Sequence, residues 1–267
     1  MATLERECGK SIYYEDYGRG DSAIVLVHGW GMGLRVWDYT LPALTGAGYR
    51  VVALDHRGCG RSDKDFEDFG VEAIAADVVA LVDALGLARV VLNGWSLGGA
   101  VVVSAANRLG DRCRGLFLTC GATPAYLQKP DFPYGGTEDI MAGTLDALAA
   151  DRINFLAGLA QGVCADASPE VVGWLLRSFL DATPLAAQGL AELGPLDQRA
   201  VLAALQLPIV SAVGALDQVV DPNVCRSVRD YNSAARIVEF EASGHAPFIE
   251  EAARYNECLV DYLGQCL

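Results

Sequence analysis

The sequence predicts an α/β fold with a mostly parallel central sheet and helices on both of its faces. Short apolar runs alternate with helical segments, and 267 residues, 52% of them hydrophobic, can form one large core. The alternation stops after Thr119 and resumes near Leu207. We therefore expect one core domain, formed by residues 1–123 and 196–267, and a helical cap inserted at 124–195, before the apolar run at 208–213.

Apolar runs rich in valine, isoleucine and leucine have the length of buried strands. They cover residues 23–27, 49–54, 89–92, 115–119, 208–213 and 236–240. The run at 11–17 predicts an additional antiparallel strand at the edge of the sheet. Between the second and third apolar runs, Val71 to Leu85 has helical periodicity, and Gly86 is placed to end that helix.

The segment 124–195 predicts several helices separated by prolines, including helices at 146–159 and 169–180. Because this segment enters and leaves on the side of the strand ends, we expect it to cover the functional site. Its aromatic and leucine residues at helical spacing pack between helices by default. Since aromatic walls are usual in small-molecule sites, the candidate pocket residues are Trp30, Trp95, Phe155, Leu159 and Trp174.

Ser96 is the candidate nucleophile. It lies in Gly94-Trp95-Ser96-Leu97-Gly98, directly after an apolar run and before a stretch of small residues that predicts a helix. In a strand, tight turn and helix of this kind, the serine has a strained backbone and a projecting hydroxyl. Gly94 and Gly98 leave the room that this turn requires.

A serine hydroxyl needs an adjacent base, usually a histidine that a carboxylate orients. Of the three histidines, only His245 lies late enough for the chain order nucleophile, acid and histidine. His28 and His56 are expected to be structural and hydrogen-bonded within their loops, where Asp55 and Arg57 are expected to act as braces.

Two aspartates follow the strand that precedes the expected acid. Asp217 lies in the turn Gly214-Ala215-Leu216-Asp217, from which its side chain can point toward the histidine loop. Asp221 precedes Pro222 and is better placed to cap the following helix. The predicted triad is therefore Ser96, Asp217 and His245.

Composition excludes several classes of function. The net charge is −14 and no cluster of lysine and arginine interrupts it, which disfavours binding to nucleic acid or to anionic membranes. The eight cysteines form no Cys-x-x-Cys pair and have no histidines nearby, so we expect no metal site and no cofactor. Acidic residues occupy the N-terminus where a signal peptide needs an apolar segment, which favours a cytoplasmic protein with reduced thiols.

Taken in chain order, these motifs resemble the capped, cofactor-free members of the α/β-hydrolase family. The motifs are His28-Gly29-Trp30-Gly31, Asp55 to Ser62, Gly94 to Gly99, Gly214 to Asp217 and Gly244 to Phe248. The first, the Trp95-Ser96 pair and the His245-Ala246-Pro247-Phe248 run are most similar to pimeloyl-carrier-protein methyl ester esterases and related carboxylesterases. The resemblance implies an oxyanion hole formed by the backbone N–H groups of Trp30 and Leu97.

The expected activity is hydrolysis of carboxylic esters with small or medium apolar acyl groups, through an acyl-enzyme. A serine nucleophile argues against haloalkane dehalogenases and epoxide hydrolases, whose members of this family have aspartate there. Lactonases, perhydrolases, hydroxynitrile lyases and carbon–carbon bond hydrolases have the same triad, and a non-catalytic small-molecule receptor can also keep it. These alternatives stay open, although Trp95 is unlike the smaller polar residue usual in carbon–carbon bond hydrolases.

A carrier protein is a disfavoured partner on charge. The segment 124–195 has three basic and nine acidic residues, a net charge of −6. Because acyl carrier proteins are acidic, a surface of like charge lowers both the rate of encounter and the affinity. The sequence therefore predicts a free small ester as the substrate.

Overall fold

The computed structural model describes residues 2–267. Its strands are β1 (Ala2–Glu5), β2 (Ser11–Tyr17), β3 (Ser22–Val27), β4 (Val51–Leu54), β5 (Arg89–Trp95), β6 (Cys113–Thr119), β7 (Ile209–Gly214) and β8 (Arg236–Phe240). They form one eight-stranded sheet in the order β1-β2-β4-β3-β5-β6-β7-β8. Strands β3 to β8 are parallel, and β1 and β2 pair in antiparallel fashion. The predicted mostly parallel sheet is confirmed.

The position predicted for the edge strand is wrong. Strand β2 pairs with β4 on one side, and β1 covers its other side. Strand β1 has only four residues, and its burial alternates along the strand. So short a run has little apolar signal of its own, and its hydrogen bonds with β2 define it.

Helices cover both faces of the sheet. They are α1 (Leu41–Gly46), α2 (Val71–Ala84), α3 (Leu97–Leu109), α4 (Glu138–Ala150), α5 (Arg152–Gly162), α6 (Pro169–Asp181), α7 (Ala187–Glu192), α8 (Arg199–Ala204), α9 (Pro222–Arg226), α10 (Val228–Tyr231), α11 (Pro247–Glu250) and α12 (Ala252–Cys266). Along β3, Val25 packs in the cluster that contains α2 and α3, whereas Ile24 and Leu26 pack in the cluster that contains α1 and α12. Successive side chains of a strand point to opposite faces, so one apolar run contributes to both cores.

Helices α4 to α7 lie in the segment between β6 and β7. The prediction of a single helix over 146–159 is wrong. The helical conformation is interrupted at Asp151, where φ is −149° and ψ is 79°. The Asp151 carboxylate accepts a hydrogen bond from the backbone N–H of Asn154 at 3.1 Å and caps α5. The helix predicted over 169–180 corresponds to α6, which Ser168 caps.

A buried ion pair and hydrogen bonds to a buried carboxylate fix the loop that follows β4. The Arg57 guanidinium donates to both carboxylate oxygens of Asp77 on α2, at 2.7 and 2.8 Å. Asp55 accepts hydrogen bonds from the backbone N–H groups of Leu34 and Arg61, at 2.6 and 2.8 Å. Asp55 and Arg57 therefore brace this loop, as the sequence predicted.

Within residues 2–267, no helix combines the length and the apolarity needed to cross a membrane.

Candidate active site

Ser96 occupies a strained turn between β5 and α3. Its φ is 57° and its ψ is −123°, a backbone conformation that non-glycine residues rarely adopt. A Cβ atom at Gly94 would collide with the carbonyl of Gly98, and one at Gly98 would collide with the carbonyl of Val27. The Ser96 N–H donates to the carbonyl of Thr119 at 3.0 Å. Close backbone packing thus holds the serine in this conformation.

The Asp217 carboxylate lies beside the His245 imidazole. His245 Nδ1 lies 2.7 Å from Asp217 Oδ2, and both side chains are buried. The other carboxylate oxygen accepts hydrogen bonds from the backbone N–H groups of Val219 and Val220, at 2.8 and 3.0 Å. With Nδ1–H donating to Asp217, the lone pair of the neutral ring lies on Nε2. That nitrogen can serve as a base.

Asp221 has a different role. Its Oδ1 accepts a hydrogen bond from the Asn223 N–H at 2.9 Å and caps α9, and its Oδ2 accepts one from the Gly135 N–H at 3.0 Å. Both oxygens are therefore engaged away from His245. The sequence predicted this helix cap.

The backbone of His245 is held on both sides. Its N–H donates to the carbonyl of Val163, just after α5, at 2.7 Å. Its carbonyl accepts a hydrogen bond from the Trp95 indole N–H, also at 2.7 Å. The sequence contains no sign of this role of Trp95, because a hydrogen bond between residues 150 positions apart leaves no local signal.

Trp30 and Leu97 border the same cavity as Ser96. A Cβ atom at Gly29 would lie 3.1 Å from Ser96 Cβ, so the backbone that leads to Trp30 passes directly beside the serine. Among the described residues, the backbone N–H groups of Trp30 and Leu97 donate no hydrogen bond to protein. Leu97 also begins α3, and a helix N-terminus favours negative charge. The arrangement can hold an oxyanion.

A cavity of about 80 Å³ lies between the strand ends and the inserted helices. Of the predicted pocket residues, Trp30, Trp95, Phe155 and Leu159 line it. Further lining residues, which lie outside the predicted set, are Tyr126, Thr144, Val163, Phe179, Leu190, Leu193 and Val219. Helices α4 to α7 contribute several of these side chains, so the inserted segment forms part of the wall.

The assignment of Trp174 to this pocket is wrong. Trp174 lines a separate surface groove with Arg35, Arg61 and other residues, and its ring centroid lies 6.1 Å from that of Tyr39. Helix α6 instead buries Phe179, which lines the cavity, on the side that faces the core. Successive side chains of a helix point about 100° apart. The rotation of α6 against the core therefore determines which of its aromatic rings enters the cavity.

The cavity wall is apolar and uncharged. No aspartate, glutamate, lysine or arginine is among its lining residues within the described chain. The Tyr126 hydroxyl donates to the carbonyl of Val219 at 3.1 Å, and that of Thr144 donates to the carbonyl of Ile140 at 2.8 Å. The Trp30 indole N–H donates to the carbonyl of Ala186 at 2.7 Å. These protons are engaged within the protein, so the two hydroxyls present only lone pairs to a ligand.

Cys120, Asp217 and His245 place possible metal-ligand atoms within 4.8 Å of one another. The chemistry of these groups does not fit a metal ion. Burial raises the pKa of the Cys120 thiol well above its ordinary value, so the thiol stays protonated. Asp217 and His245 also direct their nearest atoms toward each other.

His28 and His56 stack with their ring centroids 3.7 Å apart. His28 Nδ1 donates to the carbonyl of Gly29 at 2.7 Å, and His28 Nε2 accepts from the His56 backbone N–H at 3.0 Å. At one nitrogen His56 departs from the expectation of a hydrogen-bonded ring, because its buried Nε2 has no partner among the described residues. Burial lowers the pKa of His28 to about 4 and that of His56 well below its ordinary value.

The comparisons with known proteins define the class. Residues 22–252 match the family described as alpha/beta hydrolase fold. The chain is 30% identical to the AB hydrolase superfamily protein YisY of Bacillus subtilis (strain 168), over 94% of this chain and 95% of that protein. The chain therefore belongs to the α/β-hydrolase family.

Two other relatives carry names that indicate an activity. A pimeloyl-[acyl-carrier protein] methyl ester esterase of Sodalis glossinidius (strain morsitans) is 30% identical over 94% of this chain and 97% of its own length. A solved structure of the esterase EaEST from Exiguobacterium antarcticum superposes with a TM-score of 0.93 at 28% identity, covering 98% of each chain. This chain is a hydrolase with esterases among its homologues.

We predict that His28 and His56 stay neutral in the folded protein at pH 5.5. Because the pKa of His28 is about 4 in the folded state and 6.5 in an ordinary environment, the unfolded state binds the proton first as the pH falls. The free energy of unfolding should therefore decrease from about pH 6.5 toward pH 4. Ring ¹⁵N chemical shifts of the three histidines measure the protonation state of each ring directly, with His245→Gln used for assignment. Titration of either buried ring near pH 6.5 would contradict the prediction.

Proposed function

We propose that this hydrolase cleaves carboxylic esters of small neutral acyl groups through an acyl-enzyme on Ser96. The observation that carries the proposal is the 2.7 Å contact between Asp217 and His245, because His245 lines the same cavity as Ser96. A nucleophile, a base and an acid that orients the base are the parts that acyl transfer requires.

The reaction follows from this arrangement. His245 Nε2 takes the proton of Ser96 Oγ as that oxygen attacks the ester carbonyl carbon, and the Trp30 and Leu97 N–H groups bind the developing oxyanion. The imidazolium, which Asp217 stabilises, then protonates the leaving alcohol. Water attacks the acyl-serine with His245 as the base, which releases the acid and restores Ser96.

The cavity supports a short acyl group. Its volume of about 80 Å³ lies well below the roughly 300–1,000 Å³ of pockets that bind drug-sized ligands. The uncharged wall adds a second limit, because a carboxylate there would lose its hydration without gaining a cation. These two features favour neutral acyl groups of a few carbons.

The test combines labelling with a substrate series. We expect a fluorophosphonate to label Ser96 and p-nitrophenyl esters to be hydrolysed with the highest kcat/KM at short acyl lengths. The Ser96→Ala and His245→Ala variants should each lose at least about 10³-fold in kcat with an unchanged fold, because nucleophile and base act as one unit. Stoichiometric ligand binding without labelling or turnover would instead indicate a receptor, and a Ser96→Ala variant with a tenth of the wild-type kcat would exclude this mechanism.

The two aspartates provide a matched pair of variants. Asp217→Asn should lower kcat by roughly 10⁴-fold, since the amide favours the wrong tautomer of His245. Asp221→Asn should retain most of the activity and lose about 1 kcal/mol of stability, because the single amide oxygen cannot accept both of the hydrogen bonds that the two carboxylate oxygens of Asp221 accept. Steady-state kinetics and urea unfolding of both variants measure the difference. If Asp221→Asn shows the larger loss of kcat, the acid is Asp221.

The structure adds an argument to the proposal that a carrier protein is not the partner. Two of the three cations of the segment 124–195 are used within the protein. Arg152 donates to the carbonyls of Phe179 and Ala182, and Lys129 donates to the carbonyl of Gly194. These cations tie the segment together, while its nine carboxylates keep the surface acidic. An acidic carrier would meet like charge.

We therefore predict that a free small ester is hydrolysed with a higher kcat/KM than the same acyl ester attached to an acyl carrier protein. Direct competition at low ionic strength measures this under the conditions where charge is least screened. A carrier-bound substrate that wins there, and loses its advantage as salt is added, would show that the carrier docks.

A further inference from the structure

The loop that contains His245 packs directly against the end of α5, one of the inserted helices. We call residues 242–246 the histidine loop, and residues 163–166, which follow α5, the α5-end turn. The Val163 carbonyl accepts the His245 N–H at 2.7 Å. A Cβ atom at Gly244 would lie 2.7 Å from the Ala165 nitrogen, so only glycine allows this approach.

Glu250 joins these two segments through one carboxylate. Its Oε1 accepts hydrogen bonds from the backbone N–H groups of Ala165 at 2.7 Å and Asp166 at 3.3 Å. Its Oε2 accepts one from the Gly244 N–H at 2.8 Å. Hydrogen bonds to an ionised carboxylate are stronger than those between neutral groups. Glu250 therefore holds the α5-end turn against the residue that precedes His245.

The adjacent Glu251 shows what is particular to Glu250. Glu251 Oε2 accepts hydrogen bonds from the Ser243 hydroxyl at 2.7 Å and from the Ala242 N–H at 3.2 Å. It braces the same histidine loop, but its hydrogen bonds and ion pair among the described residues do not reach the inserted segment. Of these two glutamates, only Glu250 accepts hydrogen bonds from both the inserted segment and the histidine loop.

We propose that Glu250 is a positioning residue that makes the placement of His245 depend on the inserted helices. Helix α5 carries Phe155 and Leu159 into the cavity wall, and its end turn holds the His245 N–H. A ligand that seats against α5 therefore acts on the same rigid element that places the base. This inference rests on the proposed role of His245 as the base that activates Ser96.

The test compares Glu250→Gln with Glu251→Gln. Turnover is measured per labelled Ser96, so that the amount of folded enzyme does not enter. Glu250→Gln should lower kcat for a short p-nitrophenyl ester by about tenfold or more, which corresponds to about 1.4 kcal/mol of lost transition-state stabilisation. Its KM should stay within about twofold, and the acid limb of kcat/KM, which reports the free base, should shift. Glu251→Gln should stay within about threefold in kcat with an unshifted limb.

Amide hydrogen exchange tests, independently of activity, whether Glu250 joins the α5-end turn to the histidine loop. Exchange of 163–166 and 243–246 should accelerate together in Glu250→Gln, whereas in Glu251→Gln residues 163–166 should keep the wild-type rate. Glu250→Asp, which keeps the charge, should recover part of the lost kcat. Equal kinetics in the Gln variants, or a loss of kcat in Glu250→Gln without faster exchange at 163–166, would overturn the inference.

Two further outcomes are decisive. If the Glu250 variants do not fold, the wild-type protein still tests the link, since 163–166 and 243–246 should open with one free energy. Independent opening of these two segments would overturn the inference. If the wild type neither labels nor hydrolyses any ester, the proposed function fails, and coupled exchange through Glu250 would still show that the inserted segment positions His245.

Discussion

The strained backbone of Ser96 is the constraint on which the site depends. A φ of 57° projects the side chain from the end of β5, and this conformation persists only because the surrounding backbone leaves no alternative. The glycines at positions 94 and 98 let the carbonyls of β3 and α3 approach to distances that a Cβ atom would prevent. The same packing brings Gly29 against Ser96, so the backbone that leads to Trp30 passes beside the serine.

The site combines strong local polarity with an uncharged surround. Asp217 is the carboxylate closest to the base, and backbone N–H groups satisfy the oxygen that does not face His245. In the cavity itself, indole and hydroxyl protons go to protein carbonyls. Few polar groups therefore compete for a ligand carbonyl, and the backbone N–H groups of Trp30 and Leu97 border an otherwise apolar space. Electrostatic stabilisation is worth most in such water-poor surroundings.

The sequence could predict the features that have a local signal. The strand, turn and helix around Ser96 follow from glycine spacing, and the helix cap of Asp221 follows from the proline behind it. Strand β1 and the break at Asp151 were missed, since one depends on pairing with β2 and the other on a single capping residue. The choice of Phe179 over Trp174 depends on how α6 is rotated against the core. Glu250 lies 85 residues from Ala165, and contacts at such separation arise only from the folded chain.

These long-range contacts change how the inserted segment is understood. Ser96, Asp217 and His245 all lie outside residues 124–195, which alone would make the segment a separable wall that selects substrates. Yet the Val163 carbonyl holds the His245 N–H, and the Gly244 backbone packs so close to Ala165 that no side chain would fit between them. Any rearrangement that widens the cavity by moving α5 therefore also acts on the histidine backbone. We infer that the shape of the cavity and the position of His245 are mechanically connected, so an exchange of the inserted helices must preserve the α5-end turn to keep His245 in place.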